Sequence, residues 1–174
     1  MLYKIIKSKA SEIIKVEYLV GACGAFVSLM IVTLISELVL GQQSALVLSA
    51  SMGASAVLLF VAPHSPMSQP WPLVGGHIVS ALIGVTCAMH FETLAIAAPL
   101  AAALSILVMA MLRCVHPPGG AAALIAVVGG KDVHALGYQF IFNPILVNAL
   151  IMLIITYLVN NYLLRRSYPK VSAR

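Results

Sequence analysis

The sequence predicts an all-α, polytopic membrane helical bundle. Three observations predict it: the shortage of charge, the length of the apolar runs, and the crowding of basic residues at the two ends. Only 9% of the 174 residues are charged and 61% are hydrophobic, with a mean hydropathy of +1.05. A soluble domain carries roughly 25% charged residues, so this chain cannot cover a water-facing surface. Apolar runs fall at about 18–40, 45–62, 71–90, 93–112, 119–129 and 143–163. A helix rises 1.5 Å per residue and needs about 20 residues to cross a hydrocarbon core roughly 30 Å thick. Lys4, Lys7, Lys9 and Lys15 sit at the start and Arg165, Arg166, Lys170 and Arg174 at the end, with no Lys or Arg between Lys15 and Arg113. Basic flanks mark the cytoplasmic side. Both termini are therefore expected in the cytoplasm, with an even number of crossings of the inner (plasma) membrane. The length suits one membrane domain over 1–174.

The elements follow in order. Residues 1–16 set Ile5, Ile6, Ile13 and Ile14 among lysines, as a short helix at the cytoplasmic membrane face would. The basic stretch and the long apolar run after it do not read as a cleavable signal. The runs 18–40, 71–90, 93–112 and 143–163 are long enough to cross. The run 45–62 is marginal and contains Ser49, Ser51 and Ser55; 119–129 covers about half the membrane. Residues 164–174 form a basic cytoplasmic tail. The two short runs resemble each other when Gly53 is set against Gly120, each followed by a loop and a proline-led helix at Trp71-Pro72 or Asn143-Pro144. The chain thus reads as two three-segment units, 18–90 and 93–163. An odd number of crossings per unit makes the second inverted, with short or broken helices at 45–62 and 119–129, a common plan in transporters. Six crossings place Arg113 on the side of the termini; four, with both short segments re-entrant, place it opposite. Six is the expectation. Gly76, Ser80 and Gly84, and Ala97, Ala101 and Ser105, form small-residue faces for close packing within a bundle or a homo-oligomer.

The stretch RCVHPPGG, residues 113–120, holds the least ordinary residues. Pro117 disfavours a helical conformation at His116, and Pro118 suits the entry to a new helix. Gly119 and Gly120 leave the first-turn amides unscreened, which favours small anions. His116 adds a donor, and Arg113 adds a charge one turn away. In the first unit Ser51, Gly53 and Ser55 would form the facing helix start, near mid-membrane. His77 and Asn148 are polar residues inside spans and join the candidate binding set. His64 and Pro66 lie in a loop of turn formers that would shape the cytoplasmic mouth. Each has a plain structural role beside the functional one: Arg113 snorkelling, His116 capping, the glycines packing, the serines and Asn148 bonding to backbone or to a neighbouring helix.

Several classes are excluded by composition. There is no H-E-x-x-H, G-x-S-x-G, phosphate loop or C-x-x-C, so no catalytic residue, cofactor or metal is expected. Cys23, Cys87 and Cys114 read as packing residues. No basic patch sits on a soluble fold for nucleic acid. Cation carriers usually place acids at mid-membrane, whereas Glu37, Glu92 and Asp132 are scattered towards one predicted side. The polarity of the candidate site points to small anions, with membrane lipid as its other partner.

VHPPGGAAAL (115–124) and GASAVLLFVAPHSPMSQPWPLVGGHIVSALIGV (53–85) resemble the two recognisable blocks of the HPP family of integral membrane proteins. The resemblance implies four or more spans. Members with an assigned activity, in cyanobacteria and chloroplasts, move nitrite, so it also implies nitrite or a similar small anion. By motif, it carries over His116, Pro117, Pro118, Gly119 and Gly120, with Gly53, Ser55, His64, Pro66, Gly76 and His77. Transport of a small neutral solute, or a non-transporting subunit of a larger complex, are the alternatives.

Overall fold

The computed structural model describes residues 16–170; apart from Val16, the interfacial helix expected at 1–16 lies outside them, as do residues 171–174. Among the described residues the regular structure is helical, in six main segments, α1 (Val16–Val61), α2 (Pro70–His90), α3 (Leu94–Met111), α4 (Pro117–Val128), α5 (Gly130–Leu136) and α6 (Ile141–Leu163), with one short 3-10 turn at Pro66–Ser68. Four of these, α1, α2, α3 and α6, are long and apolar enough to cross a membrane.

α1 is a hairpin. Gly41 has φ 71° and ψ 167°, a combination nearly reserved for glycine, and the chain reverses there. Thr33 and Ser49, equidistant from Gly41, bond through their hydroxyls at 2.7 Å. At the far end a Cβ on Gly21 would lie 3.2 Å from the Phe60 carbonyl oxygen. The run expected as short or broken at 45–62 is therefore a full-length helix, 42–61. Its serines do not break it, because Ser49 donates its hydroxyl hydrogen to the Ala45 carbonyl one turn back.

The segments pass back and forth between two faces. One, the tail face, holds Val16, the 62–69 loop, the 112–116 turn and the chain after α6. There the Trp71 indole donates to the Leu112 carbonyl at 3.1 Å, and the Tyr168 hydroxyl donates to the Ser68 carbonyl at 2.8 Å. Arg166 pairs with Glu17 at 2.8 Å. The opposite face holds Gly41, the α2–α3 link and α5. Ser44 meets the Gly129 carbonyl and Asp132 there, at 3.3 Å each, and Tyr138 meets Thr86 at 3.3 Å. α4 starts at the tail face and ends beside Ser44, although its 12 residues span only about 18 Å. Arg113 shares a face with both described ends.

Packing in lipid depends on close contact rather than on escape from water. The small faces expected on α2 and α3 are both buried. α2 and α4 touch backbone to backbone: a Cβ on Gly84 would overlap the Ala123 carbonyl oxygen, and one on Gly119 would come within 2.8 Å of the Gly76 carbonyl oxygen. A larger apolar core, with Val32, Leu48, Met52, Phe60, Ile145 and Met152, joins α1 and α6 to α2 and α4 through Leu73, Ala81 and Ile125.

Two substitutions test this frame. Gly41→Ala forces a strained conformation and should cost about 1–3 kcal/mol, read as a lower melting temperature of the purified protein. Gly84→Val pushes α2 from α4 and should lower it further, or abolish folded protein on size exclusion.

Candidate functional site

The site is built around the break between α3 and α4. α3 closes with Arg113 in the left-handed region, φ 54°, and the Cys114 amide donates to the Met109 carbonyl at 2.9 Å. His116 is extended, φ −134° and ψ 104°, as a residue before proline should be. Pro117 then starts α4.

His116 is fully buried. Its Nδ1 lies 2.8 Å from the Met67 carbonyl oxygen. A carbonyl only accepts, so Nδ1 carries the hydrogen. In the neutral ring Nε2 is then an acceptor, and the Ser55 hydroxyl donates to it at 3.0 Å. Ser55 has a second acceptor in the Ser51 carbonyl, at 3.4 Å. A proton arriving on Nε2 would reverse the first bond, with Ser55 turning its hydrogen to Ser51. Ser51 itself donates to the Pro118 carbonyl at 2.7 Å and ties the second half of α1 to the α4 start.

His77, on α2, is also fully buried. Its Nδ1 donates to the Leu73 carbonyl at 2.8 Å, by the same reasoning. Its Nε2 has no hydrogen-bond partner among the described residues. The two imidazole rings lie 4.9 Å apart between centroids, tilted by 49°. Two charges at 4.9 Å repel by roughly 3 kcal/mol at an effective dielectric constant of about 20. The pair therefore takes up one proton much more readily than two. Gly76 makes the approach possible: a Cβ there would lie 2.7 Å from the His116 Cβ and 2.9 Å from the Cys114 carbonyl oxygen. Ser80, one turn on, points its hydroxyl at the Met109 sulfur at 3.6 Å.

The structure thus joins His77, His116, Ser51, Ser55, Gly76 and Pro118. It corrects four expectations. Residues 49–55 lie inside a continuous helix, so there is no second helix start to face the first; the serines reach the site as side chains. The α4 start is not a nest of bare amides. Pro117 and Pro118 have no N–H, and the Gly119 amide donates to the His116 carbonyl at 2.8 Å. Arg113 is exposed at the tail face, and among the described residues no hydrogen bond joins its side chain to the histidine pair. Asn148 is buried elsewhere, donating to Ser36 between α1 and α6 at 2.7 Å. Gly53 and Gly120 are partly buried and have open space where a Cβ would be.

His64 and Pro66 are exposed at the tail face, by a cavity of about 360 Å³ that Gln69, Pro72 and Lys170 also line. The loop carrying them is tightly held. Gln69 donates to the Pro63 and Ser65 carbonyls at 2.9 Å each, and Ser68 donates to the Ala62 carbonyl at 2.8 Å. The Lys170 amide donates to Gln69 at 2.7 Å. Tyr168 is buried over the loop, and that burial raises its phenol above the usual range. The loop in turn presents the Met67 carbonyl to His116. Met67, Ser80 and Met109 were not singled out from the sequence. A backbone acceptor leaves no side-chain signal, and Ser80 read only as a packing residue.

Several apolar helices long enough to cross a membrane, packed around a buried polar pair, define a polytopic membrane protein. Residues 11–169 match the family described as "HPP, transmembrane region", and the chain belongs to that family. Two transmembrane proteins of Dictyostelium discoideum are similar to it: one is 45% identical over 71% of this chain, the other 38% identical over 83%. The chain spans less than half the length of these relatives, 44% and 48%. No solved structure matches it.

Ser55→Ala leaves a buried Nε2 of His116 without its donor, which should cost about 1–3 kcal/mol. Thermal melting should show the loss, and Ser55→Thr, which keeps the hydroxyl, should recover most of it.

Proposed function

We propose that this protein carries a small anion, nitrite first among candidates, together with a proton across the membrane, past the His77–His116 pair. The observation that supports this most is the unpartnered Nε2 of fully buried His77, set 4.9 Å from a second imidazole. A buried acceptor without a partner is costly, and such a group within a span is a functional candidate by default. The α4 start offers few free amides and Arg113 stands outside, so no fixed positive charge faces the pair. A proton held by the pair supplies the missing charge. It also offsets the membrane potential, which opposes anion entry by about 2.3 kcal/mol per 100 mV. An imidazole can take up a proton and give it back, which suits that task. Nitrite itself comes from the family resemblance.

The protein would sit in the plasma membrane as a homo-oligomer, with the tail face and its basic residues in the cytoplasm. Arg113 and the His64–Lys170 cavity would lie at the cytoplasmic mouth. Lipid and the anion are its partners in this reading, with no enzymatic step. A second reading is carriage of a small neutral solute, favoured by the absence of fixed charge beside the two rings.

Nitrite flux into liposomes, with the potential clamped and a pH gradient imposed, tests this. Flux should rise when the gradient drives protons the same way. His77→Ala, with melting checked, should cut it about tenfold or more, the equivalent of roughly 1.4 kcal/mol on the barrier. Flux that ignores the pH gradient removes the proton, and unchanged flux in His77→Ala moves the pathway elsewhere. Uptake of neutral solutes alone, blind to potential and pH, establishes the second reading.

A further inference from the structure

A second set of buried polar atoms lies between the first half of α1 and α6. Asn148, Thr156 and Asn160 share one face of α6, at eight- and four-residue spacing, and all three are fully buried. Two contacts fix the register of the antiparallel helices. Asn148 donates to Ser36 at 2.7 Å, and a Cβ on Gly24 would lie 2.9 Å from the Val159 side chain. Between those points the register sets Met152 level with Val32, and Thr156 level with Ser28. Polar and apolar layers therefore alternate along the seam.

These polar atoms are poorly matched to one another. Asn148 Oδ1, Thr156 Oγ1 and Asn160 Oδ1 have no hydrogen-bond partner among the described residues. Turning the Asn148 amide would only exchange which of its ends is unpartnered. Asn160 cannot turn, because its Nδ2 donates to the Leu59 and Thr156 carbonyls at 3.3 and 3.0 Å. Ser28 spends its hydrogen on the Ala25 carbonyl at 3.0 Å and keeps only lone pairs for the seam. The seam thus holds two amide oxygens that lack a donor and, in Thr156, a hydroxyl whose hydrogen and lone pairs are all unspent. The ligand that serves both kinds of group is small, neutral and able to donate and accept at once, which is water; buried water takes two to four such partners.

We propose that the α1–α6 seam binds water in two groups, one at Ser36–Asn148 and one at Ser28–Thr156–Asn160, with the dry Val32–Met152 layer between them. Val32 and Met152 are both fully buried. The polar atoms stretch over about 18 Å of α6. The seam is distinct from the histidine pair and does not depend on the transport reading.

Met152 reports on this in the unaltered protein. X-ray radiolysis generates hydroxyl radicals from bound water, and a methionine beside it is oxidised even where bulk solvent cannot reach. Met52, equally buried but on the second half of α1 rather than at the seam, is the internal control. Met152 oxidising several-fold faster than Met52 is the expected result. Oxidation of Met152 no faster than that of Met52 overturns the proposal, whatever the variants show. Thr156→Val and Thr156→Ser give a second readout by melting. A hydrated seam makes Thr156→Val melt lower, with Thr156→Ser close to the parent. A dry seam has already lost the solvation of that hydroxyl, so Thr156→Val would melt at the parent temperature or above, which also counts against bound water.

Discussion

The backbone contact between α2 and α4 governs the rest of the molecule. Gly76 and Gly119 let the two helices meet without a side chain between them, and Gly84 continues the contact towards the opposite face. That approach sets the His77 ring against the His116 ring and buries both. It also leaves no room for a bulky residue at any of the three glycines. In lipid, helices gain nothing from leaving water, so close packing of this kind is a main source of cohesion. The same glycines that hold the bundle together therefore create its polar site.

The two histidines are held by different means. His116 is fixed from outside its helix, by a loop carbonyl on one nitrogen and the Ser55 hydroxyl on the other. His77 is fixed by its own helix on one nitrogen and left open on the other. One ring is thus a satisfied structural member that can accept a proton by turning a hydroxyl. The other keeps a lone pair in reserve. The buried Tyr168 and the Gln69 bonds pin the 62–69 loop, so the support of His116 extends to the tail of the chain. Movement of that loop would reach the pair directly through the Met67 carbonyl.

Much of this was legible in the sequence. Hydropathy marks the long segments, because a span must be apolar along its length, but not the short, polar α5. The proline pair stops α3 and sets His116 in an extended conformation, for the steric reason that precedes any fold. His77 stands out as a polar residue inside a span and Ser51 and Ser55 as part of a second helix start; the structure gathers all three, the serines as side chains from within a continuous helix. The chemistry drawn from the α4 start was less secure. Glycines suggest bare amides, but the prolines before them have no hydrogens to offer, and the Gly119 amide turns back to His116. A serine-rich run suggested a broken helix, whereas Ser49 bonds back to its own helix and Ser51 and Ser55 bond across to α4 and His116, all from an unbroken helix.

The sequence alone determined that this is a helical membrane bundle and that His116 lies at a helix break. Those features follow from local chemistry: apolar length, the missing N–H of proline, the freedom of glycine. Only the tertiary structure decided which polar residues meet. His77 and His116 are 39 positions apart and Ser36 and Asn148 are 112 apart, and nothing in their local sequence pairs them. Their meeting depends on helix register and on glycine contacts between segments, which are properties of the packed bundle. Arg113 went to the surface and Asn148 to the α1–α6 seam for the same reason.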